Sequence, residues 1–224
     1  MVGPNPGGGD GGNPTQPVVF IVEDDDDYRS ALCVIVSAAG YHVNAFGCPQ
    51  KFIDAYQPSQ PGCLVLDFQT PGFEVVDLYQ ALVEKGGSHP FIVISAHGNV
   101  PKVAHVMRHG AIDFLAKPVD HRQLIQRIGE AIAKDAARRS ELDEQRVIRD
   151  RLGLLTKRES EVLPLVVQGL ASKQIGKQLD MGTNTVDVHR SNILKKLNVA
   201  SSVELVRVLS THSLLPVASG GDAT

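Results

Sequence analysis

Cysteine is scarce here and wrongly spaced for the sites it usually builds. Cys33, Cys48 and Cys63 form no CxxC pair and are odd in number, which argues against a disulfide framework or a cysteine zinc site. They read as free thiols packed as small apolar groups. No apolar run approaches the about 18 residues of a membrane span, and the N-terminus lacks the basic-then-apolar order of a signal peptide. A cytoplasmic protein without membrane contact is the expectation. The eight histidines carry no HExxH spacing, so they are read as surface or core residues. Asp25, Asp26 and Asp27 follow Glu23 and Asp24 directly behind the apolar run Val18 to Val22, and that concentration of negative charge needs a reason.

Charge is divided along the chain. Residues 17–130 hold eight Lys and Arg against thirteen Asp and Glu, whereas residues 151–214 hold nine against five. An acidic half and a basic half imply different partners. Between them, residues 133–152 are rich in Ala, Arg and Glu without Pro or Gly, which predicts a helical linker. Residues 1–16, dominated by Gly, Pro and Asn, are expected to be a disordered tail, and residues 215–224 a flexible one.

The acidic half alternates short apolar runs with amphipathic stretches. The runs are Val18 to Val22, a weaker one at 41–46, Leu64 to Leu66, Phe91 to Ile94 and Ile112 to Leu115. Helical spacing appears at Leu32, Ile35, Val36 and Ala39, at Val75, Leu78 and Leu82, at Val103, Val106 and Met107, and at Leu124, Ile125 and Ile128. Five strands each followed by a helix predict an α/β fold, a doubly wound five-stranded parallel sheet. In such a sheet the residues just past each strand gather at one edge. Here they are Glu23 and Asp24, then Asp67, Ser95 and Lys117. Crowded carboxylates repel one another and raise their pKa values, and a hard cation such as Mg²⁺, which takes oxygen ligands, relieves that repulsion. Asp25, Asp26 and Asp27 are read instead as the start of the first helix, where acids favour the positive end of the macrodipole.

With these residues in order, residues 17–132 resemble the receiver domain of response regulators, a flavodoxin-like fold. The resemblance is carried by Glu23 and Asp24, Asp67 in "LVLDFQTPG", Ser95 in "VISAHG", and Lys117 with Pro118 in "DFLAKPV". It implies that Asp67 accepts a phosphoryl group from a sensor histidine kinase. It further implies that Asp24, Asp67 and the carbonyl of Gln69 hold Mg²⁺, with Glu23 acting through water. Lys117 and Ser95 would bind phosphoryl oxygens, and Phe114 would be the aromatic neighbour of the switch. Two departures stand in the loop after Asp67: Thr70 replaces a usual Met and Val75 a usual Gly. Val takes positive φ only at a cost, so a rebuilt loop is expected.

The basic half is helical in pattern. Thr156 precedes Glu159 at capping-box spacing, Gly169 is a fitting stop, and Pro164 is expected to kink or shorten that first helix. Ser172 is the expected cap of a short helix carrying Ile175 and Leu179, followed by a turn at "DMG" and a longer helix from Thr183 to Leu197. Two helices joined by a tight turn in a basic segment form a helix-turn-helix signature. On the longer helix Val186, Arg190, Ile193 and Leu197 share one face, and Asn184, Asp187, Val188, Ser191 and Lys195 form a polar stripe that by pattern alone reads as an ordinary solvated helix face and is also suited to a major groove.

Residues 153–214, through "LTKRESEVLPLVVQGLASKQIGKQL", "TVDVHRSNILKKL" and "SSVELVRVL", resemble the LuxR-type helix-turn-helix of NarL/FixJ regulators. The resemblance implies that Thr183 to Leu197 is the recognition helix, that Lys195 and Lys196 meet phosphates of double-stranded DNA, and that Val203, Leu205, Val206 and Leu209 belong to a dimerising helix. Gly182 replaces the usual capping Ser. Asp187 occupies a position where Lys is common; an acid there repels phosphate but can accept a hydrogen bond from cytosine N4.

The expectation is therefore a two-component response regulator whose phosphorylation controls homodimerisation, DNA binding and transcription, with no turnover substrate. A receiver-type transcription factor regulated without phosphorylation is the alternative. An aspartyl-phosphate phosphatase would want a second Asp where Gln69 stands, and a LuxR-type sensor of a small signal would not need the carboxylate, hydroxyl and lysine edge.

Overall fold

The computed structural model describes residues 16–68, 75–96, 107 and 111–216. The chain divides into two compact units between Arg138 and Arg139. In the first, five strands form one parallel sheet: β1 (Val18–Val22), β2 (His42–Phe46), β3 (Gly62–Asp67), β4 (Phe91–Ser95) and β5 (Ala111–Ala116). Their order is β2-β1-β3-β4-β5, so the chain reverses its winding between β1 and β3, the position where such sheets open a crevice at the strand C-termini.

Alternation along β1 explains the two layers. Val19 and Ile21 join Leu32, Val36, Leu124 and Ile128 in one core. Phe20 and Val22 join Phe52, Leu78 and Leu82 in the other, as the two-residue period of a strand requires. Helices Asp26–Ala38 and His121–Gly153 thus cover one face, and Pro49–Ala55 and Val75–Glu84 the other. Each fully buried Leu, Ile or Phe contributes about 1.5–3 kcal/mol. β3 and β4 lie between neighbours and under both layers, and every one of their residues is buried. That accounts for their unbroken apolar runs.

Helix Pro49–Ala55 carries no periodic signature in the sequence because it has only seven residues, with Pro49 in its first turn and Phe52 and Ile53 buried. Val103 and Val106 lie outside the described residues; Met107 is helical and exposed. β3 begins two residues before Leu64, at Gly62, whose φ is +151°. A Cβ there would stand 1.9 Å from the Val18 carbonyl oxygen, so only Gly lets β3 pass β1 so closely.

In the second unit, helices Lys157–Val167, Ser172–Leu179, Thr183–Leu197 and Ser202–Thr211 pack with the latter part of His121–Gly153 around Ile148, Val162, Val166, Ile175, Val186, Ile193, Leu205 and Leu209. The Thr156 and Glu159 capping box is present. Pro164 lies within the helix without ending it; buried Val162, Leu163 and Val166 carry it to Val167, offsetting the missing N–H. Gly169, at φ +80°, closes it, with Leu170 N–H on the Leu165 carbonyl at 3.1 Å and Gly169 N–H on that of Val166 at 3.0 Å, a Schellman arrangement. One cap differs from expectation. Ala171, not Ser172, flanks the second helix, and its N–H donates to Gln174 Oε1 at 2.8 Å. Ser172 is the first helical residue, and its hydroxyl is engaged elsewhere.

Candidate functional site

Register places the first site. Val22 pairs with both Phe46 and Leu66, Asp67 with Ile94, and Ser95 with Ala116. Glu23 and Asp24, Asp67, Ser95 and Lys117 therefore emerge at one edge, as the strand ends predict. Lys117 N–H donates to the Ser95 carbonyl at 2.8 Å, joining two of these positions through backbone.

The side chains converge. Carboxylate oxygens of Glu23, Asp24 and Asp67 lie within 4.8 Å of one another. Lys117 Nζ donates to Glu23 Oε2 at 2.7 Å and to Asp67 Oδ2 at 3.2 Å. Glu23, Asp67 and Ser95 are buried, and Asp24 is exposed. Burial foremost, against the bond from Lys117 and with the charge of Asp67, pushes the Glu23 carboxyl above the usual range. Burial opposes the charged form of Lys117. The bonds and charges of Glu23 and Asp67 outweigh it and raise that ammonium above its ordinary value. Lys117 thus pairs with two of the three carboxylates, and the oxygen-only donor set of the cluster fits a hard divalent cation. Gln69, expected to add a carbonyl ligand, and Thr70 lie outside the described residues. Val75 opens helix Val75–Glu84 and is buried; it is not among the described residues with positive φ. Phe114 is half-buried on β5, its ring 6.4 Å from that of Phe68.

Three of the five consecutive acids are accounted for by the helix. Asp25 is its N-cap, accepting from Tyr28 N–H at 2.9 Å, and Asp26 and Asp27 fill its first turn. Two neighbours escaped sequence reasoning. Arg29 Nη1 donates to the Glu23 carbonyl at 2.8 Å and its other nitrogen pairs with Asp26, clamping the backbone between strand and helix. The Tyr28 ring lies 4.2 Å from Lys117 Nζ, a cation–π contact. A basic residue after an acidic run was a visible signal for Arg29; nothing in the sequence aims Tyr28 at a lysine 89 positions away.

If Asp24, the exposed carboxylate of this cluster, is a ligand, Mg²⁺ affinity is expected to fall by about tenfold or more in Asp24→Ala and to change less than twofold in Asp27→Ala. Calorimetric titration of the two variants checks this; equal losses would make the acidic run a diffuse chelator.

The second site is the exposed stripe of helix Thr183–Leu197. Asn184, Asp187, Val188, Ser191 and Lys195 are all exposed, while Val186, Ile193 and Leu197 are buried. Arg190 shares the inner face, its guanidinium donating to the Leu170 carbonyl at 2.9 Å and to Ser202 Oγ at 3.3 Å. Lys196 was expected with Lys195 on phosphates, but its ammonium is turned to Glu159 Oε2 at 2.6 Å and the Leu154 carbonyl at 3.0 Å. Of the expected dimer residues, Leu205 and Leu209 are consumed by the unit's own core. Val203 is 80% exposed, and Val206 is half-buried.

Comparisons with known proteins find matches over both parts of the chain. Residues 19–129 match the family model of the response regulator receiver domain, and residues 153–209 that of bacterial regulatory proteins, luxR family. The chain is similar to the transcriptional regulatory protein FixJ of Azorhizobium caulinodans, 34% identical over 206 residues that span 92% of this chain and 96% of that protein. It is also similar to the response regulator protein TodT of Pseudomonas putida, 35% identical over 85% of this chain and 84% of that one. Among solved structures, the response regulator StyR superposes with a TM-score of 0.79 at 37% identity, covering 88% of this chain and 100% of that one. Full-length FixJ from B. japonicum gives 0.55 at 29%, covering 90% and 100%.

Proposed function

The chain belongs to the two-component response regulators that join a receiver domain to a LuxR-type DNA-binding domain and control transcription, and on that premise we propose that Asp67 is its phosphoacceptor. The observation that carries this is Lys117 Nζ, within bonding distance of both Glu23 and Asp67 beside the three-carboxylate cluster. A histidine kinase is the implied partner, with its phosphohistidine as donor. A carboxylate oxygen of Asp67 forms the new O–P bond as the P–N bond to the imidazole breaks. Once esterified, Asp67 no longer holds a full negative charge, which frees Lys117 to move onto the phosphoryl oxygens, where Ser95 adds a hydroxyl donor. Asp24 and Asp67, with the Gln69 carbonyl and with Glu23 through water, would hold Mg²⁺, which would supply further neutralisation of phosphoryl charge. Phe114 is assigned as the ring that responds to Ser95.

Chemistry ends at the acyl phosphate and its loss, so no turnover substrate is assigned. The signal passes to a second event, binding of double-stranded DNA by Asn184, Asp187, Val188, Ser191 and Lys195. Phosphorylation is proposed to favour a homodimer through Val203 and Val206 on helix Ser202–Thr211, with a coupling of about 1–3 kcal/mol. A cytoplasmic setting follows from these partners; among the described residues no helix is long and apolar enough to cross a membrane.

Footprinting genomic DNA with the full chain, with and without acetyl phosphate and Mg²⁺, tests the reading. Protection that strengthens with the phosphodonor is expected, and protection that ignores it would overturn control by Asp67. In the same assay Lys195→Ala is expected to weaken all sequences alike and lower the salt slope by about one counter-ion. Lys196→Met is expected to leave that slope unchanged, because its ammonium is already paired.

A further inference from the structure

Ser172 and Asp187 stand on different helices of the DNA-binding unit, yet Ser172 Oγ donates to Asp187 Oδ1 at 2.5 Å. A hydroxyl on a carboxylate at this length is a charge-assisted bond, about twice as strong as a neutral one. Asp187 Oδ2 accepts from none of the described residues. The pair also solves an electrostatic difficulty. An acid on a groove-facing stripe is repelled by phosphates, but tied to the first residue of helix Ser172–Leu179 it lies near the positive end of that helix.

We propose that Ser172 is a positioning residue for target reading, holding the Asp187 carboxylate in one orientation so that its free oxygen accepts from the exocyclic amine of a cytosine in the major groove. The proposal rests on the assignment of helix Thr183–Leu197 as the recognition helix. A free aspartate side chain samples several rotamers and can meet an amine at more than one base step. One whose Oδ1 is occupied presents a single acceptor in a single direction. Cytosine is the fitting partner because N4 offers a donor without an adjacent acceptor on the same base, whereas adenine places N7 beside its amine and would repel the carboxylate. Asn184, Val188 and Ser191 flank Asp187 on the same exposed stripe, so the reader is part of a contiguous surface.

The test selects bound duplexes from a randomised DNA library, using the full chain with acetyl phosphate and Mg²⁺ at one fixed salt concentration. Wild type is expected to prefer cytosine at one position of each half-site by about tenfold, and Asp187→Ala to lose that preference. Ser172→Ala is expected to reduce it to threefold or less, Ser172→Thr to retain it, and Ser172→Ala to add nothing on the Asp187→Ala background. A bond that served only to join two helices would instead lower amide protection equally in both variants and leave base preference unmoved. If Ser172→Ala keeps the wild-type preference while Asp187→Ala loses it, Ser172 has no positioning role. If Asp187→Ala binds with wild-type preference, the pair takes no part in reading and the recognition-helix assignment stands. If wild type binds no sequence with or without the phosphodonor, that assignment fails and this proposal fails with it.

Discussion

Asp67→Asn is expected to gain no phosphoryl group from acetyl phosphate and Mg²⁺ under conditions in which the wild-type chain gains one, as read by intact-mass spectrometry. The loss is expected to be complete because no other described carboxylate combines the same features. Asp67 ends the central β3, is buried, and receives Lys117 Nζ at 3.2 Å. Glu23 is closer to that ammonium, at 2.7 Å. Yet both of its carboxylate oxygens already accept, Oε2 from Lys117 and Oε1 from Asp25 N–H at 3.3 Å, which ties the group into the turn after β1. Asn at position 67 keeps the shape and removes the nucleophilic charge, so failure of the variant to react does not reflect a lost fold. An adduct on Asp67→Asn would move the assignment to another residue. A wild-type chain that stays unmodified would favour regulation without phosphorylation.

The first site was legible because its residues follow directly from strand ends. Once Val18 to Val22, Leu64 to Leu66 and Phe91 to Ile94 are read as parallel strands, Glu23, Asp67 and Ser95 must share an edge. Interactions across the fold were not legible in the same way. Lys117 over Tyr28, and the Ser172 hydroxyl on Asp187, join residues whose spacing carries no periodic signal. Ser172 reads as a cap in the sequence because Ser commonly plays that part, but the cap position falls one residue earlier and the hydroxyl finds a carboxylate instead. Lys196 is grouped with Lys195 by the resemblance of "TVDVHRSNILKKL" to a recognition helix. On a helix, consecutive side chains point about 100° apart, which is enough to leave one exposed and turn the other onto Glu159. The dimer residues divide for the same reason, Leu205 and Leu209 inward and Val203 outward.

That Lys196 to Glu159 pair leads to the second large effect. Glu159 is 3% exposed and serves three groups, accepting from Thr156 N–H at 2.7 Å and Lys196 Nζ at 2.6 Å while its own N–H caps on Thr156 Oγ1. Breaking a buried ion pair costs about 3–5 kcal/mol because the remaining charge is stranded. Lys196 keeps 32% of its side chain exposed, and the Thr156 N–H still serves Glu159, so about 2 kcal/mol is the fitting expectation for Lys196→Met. The chain has no tryptophan and its four tyrosines precede residue 80, so aromatic optical signals do not report on this unit. Amide hydrogen exchange at Val162, Leu163 and Val166 does, and a rise of about 30-fold is expected. An unchanged rate would show the pair to be energetically idle. The pH dependence has a definite sign. Burial pushes the Glu159 carboxyl up, but the bond from Lys196 and those at Thr156 outweigh it and hold it below the ordinary glutamate range. A carboxylate depressed in the folded state contributes stability that is fully present above its unfolded pKa and is lost as pH falls through the folded value. Protection in the wild-type unit is therefore expected to decline as pH drops from the ordinary glutamate range to below the depressed folded value, and Glu159→Gln to flatten that decline.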